Sequence, residues 1–219
     1  MNIEEVIFEV ADALRYPVLV VALLSLAVVI VEAGALLVEL RGRRGRGMAK
    51  LDRTVDAAKA ALAAGDEPAA LEALRGLSYN RAMGEALAAI VHQRSGPDAA
   101  DRIAKQMAEY DYRSLRRLER TRILVRLGPA VGLMGTLIPL SPALAGLASG
   151  DVGQLSRELR VAFSITVAGL LIGVAAFAIS LVRDRLYAQD YSDVEFVAAA
   201  LAGAGAPAAT AVEEPKVTA

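Results

Sequence analysis

Three long apolar stretches decide what this chain can fold into. Leu127 to Gly150 and Val161 to Val182 carry no charged side chain. A further stretch, Val18 to Leu40, is interrupted only by Glu32 and Glu39. A helix of about 20 apolar residues crosses the hydrocarbon of a bilayer, so each stretch is long enough to be a span. The 219 residues are 55% hydrophobic, yet 22% are charged, which requires the two kinds to be segregated along the chain. A cleaved signal peptide has a basic start, whereas Met1 to Asp12 holds Glu4, Glu5, Glu9 and Asp12 and no Lys or Arg. The first span is therefore expected to be retained, and the fold class is all-α membrane protein with three transmembrane helices.

Arginines set the orientation. Arg41, Arg43, Arg44 and Arg46 follow the first span, the stretch Arg113 to Arg126 contains six arginines before the second, and Arg183 and Arg185 follow the third. The acidic N-terminus and the loop Ser149–Arg160 are poorer in basic residues. Basic residues stay on the cytoplasmic side, which predicts an N-terminus outside, a cytoplasmic C-terminus and a multi-pass protein of the inner (cytoplasmic) membrane.

The expected organisation is an amphipathic interfacial helix over 1–16, spans over 17–40, 127–149 and 160–182, and an outer loop over 150–159. A cytoplasmic helical domain is expected over 41–126, a cytoplasmic helix over 183–203 and a disordered tail over 204–219. Pro17 is read as the turn into the first span. Within the cytoplasmic domain, Gly65-Asp66, Gly76-Leu77-Ser78 and Ser95-Gly96-Pro97 are breaks, which predicts helices near 48–64, 67–76, 79–94 and 98–126.

Much enzyme chemistry is excluded by what is missing. The chain has no cysteine and a single histidine, His92, so thiolate or histidine metal clusters and a cysteine nucleophile are ruled out. His92 reads as a packing or surface residue. No glycine-rich turn leads into Lys-Ser or Lys-Thr as in a nucleotide-binding loop, and no cofactor is expected. A formal net charge of −1 provides no basic field for nucleic acid.

The second and third spans carry stripes of small residues. Gly128, Gly132, Gly135, Pro139, Pro142 and Gly146 recur every three or four residues, and Ala162, Thr166, Gly169 and Gly173 do the same in the third span, with Ser180 two turns further on the same face. Such stripes let helix backbones approach closely, so packing within a bundle explains the glycines by itself. Thr136 and Thr166, with Ser164 nearby, add hydroxyls on or beside those faces. Two hydroxyl-bearing faces can line a narrow cavity that offers hydrogen bonds to water or to a titrating group. Glu32 is the remaining candidate, an intramembrane acid that is either functional or a structural glutamate, neutral or paired with an arginine near the inner interface.

Gly132-Leu-Met-Gly135-Thr136 resembles the Gly-Leu-x-Gly-Thr segment of the MotA/TolQ/ExbB proton-channel family, and Ser164-Ile-Thr166-Val-Ala-Gly169-Leu170 resembles that family's Ala-Thr-Ala-x-Gly-Leu segment. The layout is also similar, with a long insert after the first span and a short loop between the other two. The resemblance implies a homopentamer around two helices of a single-span partner whose membrane aspartate takes up and releases the proton. On that basis Thr136 and Thr166 are pore hydroxyls, with Ser164 beside the pathway, and Gly132, Gly135, Gly169 and Gly173 permit close helix contact around the pore. Some members carry a glutamate five residues before the third-span threonine, where this chain has Val161.

The expected function is thus a proton-channel subunit of an ion-driven motor, which turns proton motive force into work for transport or another envelope process. The alternative is a non-conducting membrane scaffold that uses the same faces for assembly alone; an enzyme is not expected. The orientation is tested directly: reporters fused after Ala219 or within residues 60–110 are expected in the cytoplasm, and one placed before Asn2 outside. Both ends on one side would remove a span.

Overall fold

The computed structural model describes residues 3–202, and these are organised as seven helices joined by short turns. The expected tail over 204–219 lies outside them. Three of the helical stretches are long and apolar enough to cross a membrane, as the all-α membrane class requires: Val6–Gly42, Ala99–Ala148 and Val152–Ala202. The described residues divide into two compact units, one of residues 3–42 and 114–187, the other of residues 43–113 and 188–202.

In the first unit, α1 (Ile3–Ala13) leads almost without interruption into α2 (Arg15–Gly42). The Leu14 N–H donates to Val10 O at 3.2 Å, and the Val18 N–H to Leu14 O at 3.0 Å. Pro17 does not make the turn. It sits in the first turn of α2, where its missing N–H costs no helix bond and its fixed φ suits the helix. The second span is the C-terminal part of α6 (Ala99–Ala148), which stays helical through Pro129, Pro139 and Pro142.

The third span belongs to α7 (Val152–Ala202), and here the structure corrects the expected loop over 150–159. The connection shrinks to Ser149, Gly150 and Asp151. Gly150 takes φ +76°, a left-handed value that glycine adopts without a side-chain clash, while the Asp151 N–H reaches back to Gly146 O at 2.8 Å. The Asp151 side chain then accepts the Gln154 N–H at 2.8 Å. This pattern, Asp151-Val-Gly-Gln154, is a helix-start signal in the sequence itself, with a capping acid followed three residues later by glutamine.

In the second unit, α3 (Met48–Ala63), α4 (Glu67–Arg75) and α5 (Arg81–Gln93) follow each other closely. Gly65, at φ +77°, ends α3, after which Asp66 caps α4 by accepting the Ala69 N–H at 3.0 Å. Asn80 caps α5 in the same way, accepting the Met83 N–H at 2.9 Å. One apolar core unites these helices, with Val55, Leu74, Leu87 and Ile90 buried beside Ile103 and Met107 of α6. Val194, Val197 and Leu201 of α7 complete it, so residues far along the chain close a core that began near residue 51. His92 is exposed and bonded to Glu67, whose carboxyl is held below its usual pKa first by that bond and then by Arg94. Among the described residues no group of His, Cys, Asp or Glu could hold a metal ion.

Charge is also buried in this unit. Asp190 lies beyond the charge-free run of α7, fully buried and ion-paired with the buried Arg43. Arg46 pairs with Asp193 at 2.8 Å, and Arg43 lies 5.7 Å from the centre of the Tyr79 ring. Burial outweighs the pull of Arg43 and raises the Asp190 carboxyl to a pKa of about 6. An unfolded aspartate titrates near 3.9, so the folded chain holds the proton more tightly between these values. The Asp190 contribution to stability is therefore greatest below pH 4 and is lost as pH rises through about 6, by about 3 kcal/mol at most. Hydrogen-exchange protection of α5 and of residues 188–202 in the full chain, compared with Asp190→Asn, is expected to differ in slope over pH 4–6 and to run parallel above pH 7.

Candidate functional site in the second and third spans

The small-residue stripes of α6 and α7 meet each other within one chain. A Cβ built on Gly128 would stand 2.6 Å from Gly169 O and 2.7 Å from Gly173 N, and one on Gly169 would stand 2.5 Å from Gly128 O and 2.7 Å from Gly132 Cα. No side chain fits between backbones this close, so glycine is required at the crossing by contact rather than by φ. Gly173 faces the Pro129 ring, 2.9 Å from where a Cβ would be, and Gly135 faces Ile165, whose Cγ2 would be only 2.2 Å away. Gly132 is less confined, its nearest contacts being Gly169 Cα and Thr166 O at 3.4 Å.

The hydroxyls divide into three environments. Thr166 is half-buried at the crossing, where its Oγ1 is 3.1 Å from Ala162 O in its own helix and 3.3 Å from Gly132 O across the interface. Thr136, one turn beyond Gly132, is half-buried and donates to Leu133 O at 2.7 Å. Ser164 is exposed and donates to Arg160 O at 2.8 Å. Two residues from Thr166, it points to the other side of α7. The structure thus places Thr166 against the Gly132 turn and leaves Ser164 apart. Each hydroxyl proton is engaged by a backbone carbonyl, which keeps the hydroxyl in a defined orientation and its oxygen available as an acceptor.

Glu32 is not isolated. It forms an ion pair with Arg183 of α7, whose Nε is also 3.6 Å from Glu39 Oε2 and whose Nη1 donates to the buried Thr121 Oγ1 at 3.4 Å. The Arg183 side chain is only 6% exposed, against 24% and 19% for Glu32 and Glu39. Glu32 and Glu39 are seven residues apart and so lie on one face of α2, where a single guanidinium can reach both. This group joins all three membrane helices: α2 through the glutamates, α6 through Thr121 and α7 through Arg183. Reading residues singly identified Glu32 but missed Glu39, Thr121 and Arg183. The seven-residue spacing, together with an arginine directly after a charge-free run, was the signal available.

At the far end of the spans, Arg15 donates to both Glu158 oxygens at 2.7 and 2.6 Å, joining α2 to the part of α7 that had been expected to be loop. Clamps of charge near both ends of the spans thus bracket a glycine crossing, with hydroxyls as the polar groups between. The family model of the MotA/TolQ/ExbB proton channel family matches residues 75–195, more than half of the chain. The chain belongs to this family. The match takes in the glycine crossing, both threonines and Arg183, and the family is one of channels rather than of enzymes. Comparison with curated proteins and with solved structures found no match.

In this MotA/TolQ/ExbB chain, breaking the arginine clamp from one side is expected to be costly. Removing one partner of a buried pair leaves the other charge uncompensated, at a cost of about 3–5 kcal/mol. Arg183→Met, which strands the glutamates, should approach that cost. Glu32→Gln, which leaves Glu39 beside Arg183, should cost clearly less. Denaturant titrations of the purified protein in detergent check the order of the two.

Proposed function

We propose that this chain is the channel-forming subunit of a proton-driven membrane motor. It assembles as a homopentamer around two helices of a single-span partner, with the arginine-rich ends of its spans in the cytoplasm and its N-terminus outside. Family membership supports the channel role. The observation that carries the mechanism is the chemistry of the two matched spans: the charge-free runs of α6 and α7 contain hydroxyls but no carboxylate, histidine or lysine. Serine and threonine hydroxyls orient and relay protons but do not ionise near neutral pH, so the group that binds and releases the proton comes from another chain. A protonated partner aspartate facing Thr136 and Thr166 would find acceptor oxygens held in place by the hydroxyls' bonds to backbone carbonyls. Its protonation and release would change its attraction to these hydroxyls, and the change drives movement of the partner helices relative to the ring.

The scaffold reading draws on the glycine crossing, since Gly128, Gly169 and Gly173 are occupied by contacts within one chain. The two readings differ in proton flux. In reconstituted vesicles the chain alone is expected to conduct poorly, and co-assembly with the partner to create a flux that its aspartate-to-asparagine variant abolishes. Thr136→Val and Thr166→Val keep the shape and remove the hydroxyl, so each should lose the driven flux while assembly persists. Unchanged flux in the double variant would show that the threonines only pack, and no flux with any partner would favour the scaffold.

A further inference from the structure

At the arginine-rich end of the spans, a cavity of about 290 Å³ opens between α6 and α7. Its polar side is made by Arg122 and Arg126, one turn apart on α6, and by Asp184 on α7. Its other side is apolar, with Val125, Phe177 and Leu181, and Ser180 also lines it. The two halves fall on either side of the membrane boundary drawn by the sequence. Arg126 immediately precedes the charge-free run of α6, and Phe177 and Leu181 belong to the end of the charge-free run of α7. Charge therefore sits at headgroup depth, and the apolar wall at the depth of the first acyl carbons.

The charges in the cavity are not balanced. Asp184 holds Arg122 at 3.1 Å, whereas Arg126 is exposed and makes no ion pair among the described residues. One guanidinium is thus left over in a groove whose next neighbours are basic. Arg185, four residues beyond Leu181, lies on the same face of α7. An exposed, planar guanidinium at the edge of hydrocarbon favours an anion that accepts two N–H bonds side by side, and the two non-bridging oxygens of a phosphodiester do so.

We propose that this cavity is a binding site for an anionic phospholipid. The lipid phosphate is held by Arg126 and by the free edge of Arg122, and an acyl chain runs along Phe177 and Leu181. A second copy of this chain is the less suitable occupant. Copies inserted with the same orientation carry Arg116, Arg117, Arg120, Arg122 and Arg126 against Glu119 and Asp184 at matching depths, so a neighbour meets this groove with an excess of like charge. The headgroup layer brings the opposite charge at that depth wherever anionic lipid is present. The assignment does not depend on whether the chain conducts protons.

Native mass spectrometry of the full chain in mild detergent tests the site, with phosphatidylglycerol and phosphatidylcholine added in equal amounts. Phosphatidylglycerol is expected to be retained in preference, with retention falling roughly fivefold for each arginine changed in Arg126→Gln and Arg122→Gln/Arg126→Gln. The control Arg116→Gln/Arg117→Gln removes equal charge outside the groove and should leave retention unchanged, and the water-soluble headgroup alone should not displace the lipid. Three results would each overturn the proposal: equal retention of the two lipids, equal loss in the control, or groove variants that alter the oligomer distribution and leave lipid retention intact.

Discussion

Inside a bilayer no water competes for polar groups, and lipid tails are as apolar as leucine, so helices gain little by hiding leucines from their surroundings. What holds two spans together must be close contact, and close contact needs an absence of side chains. The crossing of Gly128 and Gly132 with Gly169 and Gly173 meets this requirement, and much else follows from it. It brings the Thr166 hydroxyl within reach of the Gly132 carbonyl, and it turns Ser164, Phe163 and Val167 outward. A methyl group at Gly128 or Gly169 would force the backbones apart and dissolve the geometry that any proton pathway between these helices would use.

Charge holds the ends. Arg183 collects Glu32, Glu39 and Thr121 from the other two membrane helices, and Arg15 clasps Glu158 at the opposite end. Buried ion pairs often add little net stability, since desolvation offsets their attraction, but they penalise misplaced helices because a stranded charge is expensive. Their role here is to define which faces of α2, α6 and α7 meet. Arg43 and Asp190 serve the second unit in the same way, at a site dry enough to raise the aspartate's pKa.

The polar groups left uncommitted are informative because so many are committed. Thr136, Thr166 and Ser164 have their protons placed on backbone carbonyls, which orients three acceptor oxygens in spans that carry no acid of their own. That arrangement suits a channel wall completed by a titrating group from elsewhere. Arg126, by contrast, stands at the membrane edge without a counter-charge among the described residues, and a lipid phosphate satisfies it.

The sequence by itself determined the fold class, the three apolar stretches and the family. Each rests on local composition: charge-free runs of sufficient length, and glycines and threonines at helical spacing. Helix ends were legible where a capping residue or a left-handed glycine marks them, as at Gly65-Asp66 and Asn80. The same signal at Asp151 and Gln154 was hidden behind the expectation of a loop. Only the tertiary structure decided which partner each residue takes. That the stripes of α6 and α7 face each other, that Glu32 and Glu39 converge on Arg183, and that Val194, Val197 and Leu201 close a core begun by Leu51 and Val55 are pairings between residues roughly 30 to 150 positions apart. Periodicity tells which face of a helix is small, charged or apolar, but not which other helix it meets. That choice comes from packing all the helices at once, with glycines allowing the closest approach and buried charges rejecting the alternatives.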